Sequence, residues 1–397
     1  MQEEKLRKTR CFHTRRRTYD YSWPNNRILG GGQLGRMMAL EAKAMGFKVA
    51  VLEPSANSPT AQVADVEVIG AYHDPEAVQK LADQSDVVTF EFENVDAITA
   101  TILQEAGKLP QGTALLKTTQ HRLREKEALE KAGLTVAPYR AVSSIEELRT
   151  AIDLLGTPAV LKTCRGGYDG KGQYVIQSKE ESAKAFHELD REGVELVLEG
   201  FVSFEKEISV IVTRNAKGEL QTFPVAENVH EANILKRTIV PAQISAEAEA
   251  HAIQMAETFA KSIDLIGTLA VEMFYTSDGE IYVNELAPRP HNSGHYTMNS
   301  CNVSQFGQHV RAICDWPLVE PMLHQPVIMD NILGEHVEKA LEAIPQFTNA
   351  FLHLYGKSEV RTGRKMGHVN SVGKTIEEAI NTSKQLNIRM HAMEAAR

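Results

Sequence analysis

Over most of the chain, short apolar runs alternate with stretches whose apolar residues recur every three or four positions. Lys48–Glu53 (KVAVLE), 65–69 and 87–92 read as brief buried strands. The apolar positions from Leu34 to Met45, ended by Gly46, and those at 75–82 read as the helices between them. Brief apolar strands alternating with helices indicate a parallel sheet, so a first α/β domain is placed at 28–116. The pattern then changes. Residues 122–132, closed by Gly133, and Ile145–Leu155 read as helices. Ala159–Thr163 and 173–177 read as strands flanking a glycine-rich loop, and 196–198 and 208–213 as strands of an antiparallel kind. A long amphipathic helix at 246–263 precedes a hairpin formed by 268–276 and 280–285. A helix at 306–313 leads into a smaller C-terminal region with strands at Val327–Leu333 and 351–355. The fold class is therefore α/β and α+β, in several domains.

Residues 1–27 show neither period and carry Arg15, Arg16, Arg17 and the run Trp23-Pro24-Asn25-Asn26. A basic arm, an import peptide and a leader without fixed structure all fit, and composition favours the last. Only Ile28 and Leu29 remain to feed the first glycine loop, so the first strand is expected to be short or missing.

With 43% hydrophobic and 24% charged residues among 397, a disordered chain, a collagen and a coiled-coil rod are excluded. The net charge of -9 speaks against nucleic acid or an anionic membrane as the main partner. No apolar run approaches the roughly 18–20 residues of a membrane span. No apolar segment follows the N-terminal basic residues, so no secretory signal is expected. Cys11, Cys164, Cys301 and Cys314 lack CxxC spacing and read as reduced thiols of a cytoplasmic protein.

Gly30-x-Gly32-x-x-Gly35, with Glu53 about 20 residues on, matches a dinucleotide fingerprint. Alone it suggests an NAD enzyme; more generally it offers backbone N–H groups at a helix N-terminus to a phosphate, or is a tight turn. The second loop, Arg165-Gly166-Gly167-Tyr168-Asp169-Gly170-Lys171-Gly172, is no Walker loop, because Gly172 follows Lys171. It reads as a mobile flap whose Lys171, with Lys162 on the preceding strand, can neutralise a triphosphate.

The hairpin carries the most information. If Asp278-Gly279 forms a two-residue type I′ turn, Glu272 and Glu285 face each other with Cβ atoms roughly 4.5–5.5 Å apart. Two such carboxylates share a proton or a cation, and magnesium with nucleotide phosphates suits them among apolar neighbours. Next in the chain, Arg289 offers a charge clamp for an anion and His291 a hydrogen-bond donor or a base. Pro290 and Gly294 oppose a helical His291–His295 zinc pair. Lys357, Arg364 and Lys365 form a last basic cluster, able to complete a monophosphate pocket with the first glycine loop.

GGGQLGRMMA, TFEFENV, GGYDGKGQ, PVAENVH, GTLAVEMF and NELAPRPHNSGHYT, in this order, resemble the N5-carboxyaminoimidazole ribonucleotide synthetase family of the ATP-grasp superfamily. The resemblance spans about 29–375. It implies an N-terminal domain, an ATP-grasp domain at 117–300 with a flap subdomain at about 138–200, a small C-terminal domain at 301–397, and a dimer. Arg122, Lys162 and the flap residues Gly167, Tyr168, Asp169, Gly170, Lys171, Gly172 and Gln173 would hold ATP phosphates. Glu199, Gly200, Phe201 and Val202 would meet adenine, Glu207 the ribose, and His230 and Asn284 would lie by the nucleotide. Glu272 and Glu285 would hold Mg2+; where many ATP-grasp relatives carry Asn two residues after the second acid, this chain has Ala287. Arg289 and His291 would position bicarbonate, with Lys357 as a further catalytic group.

The implied reaction carboxylates 5-aminoimidazole ribonucleotide through carboxyphosphate. The ribonucleotide's phosphate would sit on Gly32, Gln33 and Leu34 with Lys357, Arg364 and Lys365, and Glu93, Tyr168 and Asp169 would approach its ribose and base. Rival readings are a formate-using glycinamide ribonucleotide transformylase, an NAD-binding oxidoreductase and a non-catalytic nucleotide-binding protein.

Overall fold

The structure, a computed structural model, describes residues 25–388 apart from 84, 168, 169 and 192. The expectations for residues 1–24 and for Tyr168 and Asp169 lie outside the described residues. Strands β1 (Asn25–Leu29), β2 (Lys48–Glu53), β3 (Val66–Ile69) and β4 (Val87–Phe90) form a parallel sheet in the order β3-β2-β1-β4. Helix α1 (Gln33–Ala44) leaves β1 through the first glycine loop. The first strand, expected short or missing, is present and central: Ile28 pairs with Val51 on one side and Thr89 on the other. A parallel ladder needs only backbone groups from β1, and β2 and β4 supply apolar faces. Ile28 and Leu29 are buried, and so is Asn26, whose Oδ1 accepts from Cys314 Sγ at 3.5 Å. The Asn26 amide nitrogen has no partner, a loss of about 1–3 kcal/mol for a buried donor.

A second sheet, antiparallel, runs β5-β8-β6-β7 from β5 (Tyr139–Val142), β6 (Ala159–Thr163), β7 (Gln173–Ile176) and β8 (Leu196–Gly200). Helices Ile145–Leu155 and Ser182–Leu189 bury Leu148, Ile152, Phe186 and Leu189 against it.

The third sheet has nine strands: β9 (Lys206–Arg214), β10 (Leu220–Thr222), β11 (Ala226–Glu231), β12 (Ile234–Val240), β13 (Gly267–Tyr275), β14 (Ile281–Ala287), β15 (Val327–Leu333), β16 (Ala350–Leu354) and β17 (Lys365–Val372). Its order is β14-β13-β9-β11-β12-β15-β17-β16, with β10 on β9. The C-terminal strands thus extend the central sheet through β12. Helix Ala246–Ser262, capped by Ser245, buries Ala252, Met255, Ala256 and Phe259 on β9, β13 and β14. His309, on helix Gln305–Ile313, ties the first sheet to this one. Its Nδ1 accepts from Thr268 N–H at 3.1 Å, so Nε2 carries the proton and meets Thr89 Oγ1 at 2.9 Å. Burial pulls its pKa down to about 3. Among the described residues, no helix is long and apolar enough to cross a membrane.

Candidate active site

The β13–β14 hairpin does not turn as its Asp-Gly pair predicts. Ser277, Asp278 and Gly279 form a three-residue loop, closed by Thr276 N–H on Glu280 O at 3.0 Å, with Gly279 at φ +88°. Within this loop Thr276 Oγ1 donates to Asp278 Oδ1 at 2.5 Å and accepts from Glu280 N–H at 3.1 Å. Met273 therefore faces Val283, and Tyr275 faces Ile281. A straight ladder would set Glu272 opposite Asn284 and turn Glu285 to the other face. A β-bulge at Glu272/Met273 takes up Asn284 as the extra residue, and Glu272 pairs with Glu285 after all. Two departures from the simple register cancel.

Burial and the neighbouring Glu285 charge push the Glu272 carboxyl up to about 7. Arg122 Nη1 stands 3.7 Å from Glu285 Oε2, and His291 Nδ1 3.5 Å from Glu272 Oε1. Two carboxylates with surplus negative charge, and Asn284 beside them, suit Mg2+, which takes one or two carboxylates and leaves its other positions to phosphate and water. No group of three or more His, Cys, Asp or Glu able to hold a metal by itself occurs among the described residues.

These acids line a cleft of about 550 Å³ between the second and third sheets. Lys162, Gly167, Gly170, Lys171 and Gln173 come from the flap side, Glu199 and Gly200 from the end of β8, Phe201 and Val202 from the hinge after it, and Glu207 and His230 from β9 and β11. The Glu199 carboxylate is taken up by the protein's own cations. It is buried between Lys162 Nζ (2.9 Å) and Lys126 Nζ (3.3 Å), so only its backbone is available to a base. His230 Nδ1 lies 2.9 Å from Glu207 Oε2; burial lowers the imidazole pKa, the Glu207 contact outweighs it, and the net shift is upward. Val160, Val175, Phe204, Phe274 and Leu286 give the cleft an apolar slot. The Phe204 and Phe274 rings stack at 4.6 Å.

The first glycine loop holds the protein's own acids. Glu91 accepts from Gly32 N–H and, at 2.7 Å, from Gly35 N–H; Glu53 accepts from Gly31 N–H at 2.8 Å and from Tyr72 OH. A Cβ on Gly32 would come within 2.6 Å of Glu91 Oε1. The glycines are thus required by carboxylates that pack on the backbone, and Glu53 is engaged where a dinucleotide ribose would need it. This removes the structural basis of the NAD reading. It also corrects the phosphate expectation at Gly32, whose amide is taken, whereas Gln33 and Leu34 reach the cleft.

Arg289 Nε donates to Glu93 Oε2 at 2.5 Å, and both line the cleft. Glu93 therefore aims the guanidinium as well as facing the ligand space. The His291 side chain is largely enclosed, 19% exposed at the cleft, and desolvation and then Arg289 hold its pKa well below the ordinary histidine value. Lys365 lines the cleft; Lys357 stands behind it, donating to Lys365 O at 2.7 Å, and burial followed by Arg364 lowers it to about 8. Arg364 reaches Glu359 O, and Gly172 packs on Thr163; neither lines the cleft. Sequence reading missed Phe204, Phe274, Asn233, Leu235 and Asn292. Only the apolar period of β13 could have signalled one of them, Phe274.

A glycine flap, a hinge strand and a facing acid pair across a cleft between two sheets define the ATP-grasp class. A model of the ATP-grasp domain matches residues 127–306, one of the ribonucleotide synthetase preATP-grasp domain matches 27–120, and one of the phosphoribosylaminoimidazole carboxylase C-terminal domain matches 327–382. The chain is 49% identical over 362 residues to the N5-carboxyaminoimidazole ribonucleotide synthase of Bacillus subtilis, covering 91% of this chain and 95% of that one. A crystal structure of an N5-carboxyaminoimidazole ribonucleotide synthetase with ADP superposes at TM-score 0.89 and 55% identity, over 92% of this chain and 97% of that one. The Aspergillus clavatus enzyme in complex with ADP and 5-aminoimidazole ribonucleotide gives 0.86 and 34%, over 92% and 98%. The chain belongs to the N5-carboxyaminoimidazole ribonucleotide synthase family.

Proposed function

We propose that this chain catalyses the ATP- and bicarbonate-dependent carboxylation of 5-aminoimidazole ribonucleotide to N5-carboxyaminoimidazole ribonucleotide in purine biosynthesis, as a cytoplasmic homodimer. Its domains run 28–116, 117–300 with the flap at about 138–200, and 301–397. The observation that carries the reading is a single cleft that joins flap and hinge to the Glu272–Glu285 pair and continues to Arg289 and His291. ATP lies with its base against the apolar wall of Val160, Val175, Phe204, Phe274 and Leu286 and the hinge backbone, and its phosphates between Lys162, Lys171 and Arg122. Glu272 and Glu285, with Asn284, hold Mg2+, which when bound offsets phosphate charge.

Bicarbonate rests on Arg289 and His291. Arg289, oriented by Glu93, neutralises the anion. Attack of a bicarbonate oxygen on the γ-phosphorus forms carboxyphosphate and releases ADP; Lys162 stabilises charge on the transferring group. The ribonucleotide amine then takes the carboxyl carbon and phosphate leaves. The ribonucleotide's phosphate lies at the Gln33 and Leu34 amides, at the N-terminal end of α1, beside Lys365, with Lys357 and Arg364 adding positive charge from behind the cleft wall. Flap closure keeps water from carboxyphosphate.

The test is phosphate release with ATP, magnesium, bicarbonate and aminoimidazole ribonucleotide, each omitted in turn. Full turnover is expected only with all four. Turnover with formate and glycinamide ribonucleotide instead would favour the transformylase reading.

A further inference from the structure

A file of buried side chains crosses the third sheet and ends on His291. Thr238 Oγ1 on β12 donates to Asn228 Oδ1 on β11 at 2.9 Å. Asn228 Nδ2 donates to Ser209 Oγ on β9 at 2.9 Å, and Ser209 Oγ donates to Ser293 Oγ at 2.9 Å. Ser293 Oγ then stands 3.0 Å from His291 Nδ1. None of Thr238, Asn228, Ser209 and Ser293 is more than 5% exposed, so water does not compete for these bonds.

The direction of the file follows from its last link. The Ser293 backbone N–H, which cannot reverse, is also aimed at His291 Nδ1, at 3.3 Å. Glu272 Oε1, at 3.5 Å, is farther from that nitrogen than either Ser293 donor and makes no hydrogen bond to it; Nδ1 is therefore an acceptor, and a neutral ring with Nδ1 as acceptor carries its proton on Nε2. Since Ser293 Oγ already accepts from Ser209, its own proton goes to His291 Nδ1. Every donor along the file is then used in one sense, an arrangement in which each bond polarises the next.

We propose that Thr238, Asn228, Ser209 and Ser293 are positioning residues that fix His291 as an Nε2–H donor, so that His291 offers the reacting anion a hydrogen bond and does not act as a base. The proposal rests on the reading that places bicarbonate at Arg289 and His291. It assigns a purpose to polar side chains on β9, β11 and β12 that lie beyond the reach of substrate.

Two measurements test it. In the full-length enzyme with nitrogen-15-labelled histidine, His291, assigned by its loss in His291→Gln, should show Nε2 protonated and Nδ1 unprotonated. A protonated Nδ1, or a doubly protonated ring near neutral pH, overturns the proposal. In steady-state kinetics, Ser293→Ala should raise the KM for bicarbonate about tenfold, the worth of one buried hydrogen bond, with the KM for ATP within about twofold. Ser209→Ala, one link further away, should act in the same direction and more weakly, and serves if Ser293→Ala does not fold. His291→Gln places an amide N–H near the Nε2 position, whereas His291→Asn places one near Nδ1. The Gln variant should retain at least about tenfold more kcat/KM for bicarbonate than the Asn variant. Equal inactivity of the two, as a lost base would give, refutes the donor role. The stated tautomer combined with an unmoved bicarbonate KM in every variant refutes the placement of bicarbonate, and the functional claim with it.

Discussion

Replacing Glu199 by Gln removes one charge from a buried cluster of three. Glu199 is 4% exposed and lies between Lys162 Nζ at 2.9 Å and Lys126 Nζ at 3.3 Å. Burial by itself would raise the carboxyl, but Lys162 and Lys126 outweigh it and hold the pKa at about 2. The drop from 4.5 to about 2 is worth about 3 kcal/mol of folding stability. Because the folded value is the lower one, this stability is complete above pH 4.5 and is lost as pH falls towards 2, so at pH 7 all of it is at stake. The glutamine variant leaves two ammonium groups facing each other without the Glu199 charge between them, where removing one partner of a buried pair costs about 3–5 kcal/mol. Urea unfolding at pH 7 should show a loss of about 3 kcal/mol. The KM for ATP should rise as well, because a neutral amide oxygen holds Lys162 less firmly than the carboxylate that aims it. The double variant Lys126→Met, Glu199→Gln should recover at least about half of the loss, since one unpaired cation is gone. If Glu199→Gln stays within about 0.5 kcal/mol of the parent, the cluster does not carry the charge balance described and the reasoning fails.

Glu285→Ala should lower ADP formation by at least about a hundredfold and leave the melting curve unchanged, because this side chain is 44% exposed at the cleft; undiminished turnover would discredit the acid-pair assignment. His309 is held neutral in the fold, so the unfolded state binds the extra proton below its ordinary value of 6.5. Stability should fall by up to about 1.4 kcal/mol per pH unit from 6.5 towards 3, and melting temperatures of the parent and of His309→Gln across that window should converge on the acid side. Lys357 loses its charge as pH rises through about 8, so kcat/KM for the ribonucleotide should decline above that pH, and a Lys357→Met variant retaining the same decline would exclude this lysine as its cause. A Cβ on Gly35 would come within 2.8 Å of the Gly30 carbonyl, and Gly35→Ala should cost about 1–3 kcal/mol by thermal unfolding.

What the sequence discloses depends on whether a segment's job is burial. KVAVLE, Ile145–Leu155 and Val327–Leu333 form the elements their apolar patterns predict. Strands β11 and β12 escape notice because their inward residues include Asn228, Arg237 and Thr238, which are buried by hydrogen bonding and by the Arg237–Asp330 pair rather than by apolar contact. Ala232 and Asn233, both at positive φ, make the turn between them, and the Asn is the one signal of it. Strand β17 hides for the same reason, with His368, Asn370 and Ser371 fully buried. The Glu272–Glu285 pairing was legible, yet the sequence carries no sign of the three-residue turn or of the bulge at Asn284 that together produce it. Nor does it show that Glu91, at the end of β4, fills the first glycine loop. In each case the missing information is a contact between distant segments, which no local pattern encodes.

The central claim is that one cleft passes the γ-phosphoryl group of ATP to bicarbonate before the ribonucleotide amine is carboxylated. Turnover with bicarbonate labelled by a heavy oxygen isotope, followed by mass analysis of the released phosphate, examines that step itself. One labelled oxygen should appear in the phosphate for each N5-carboxyaminoimidazole ribonucleotide formed. Unlabelled phosphate alongside carboxylated product would mean that bicarbonate never received the phosphoryl group.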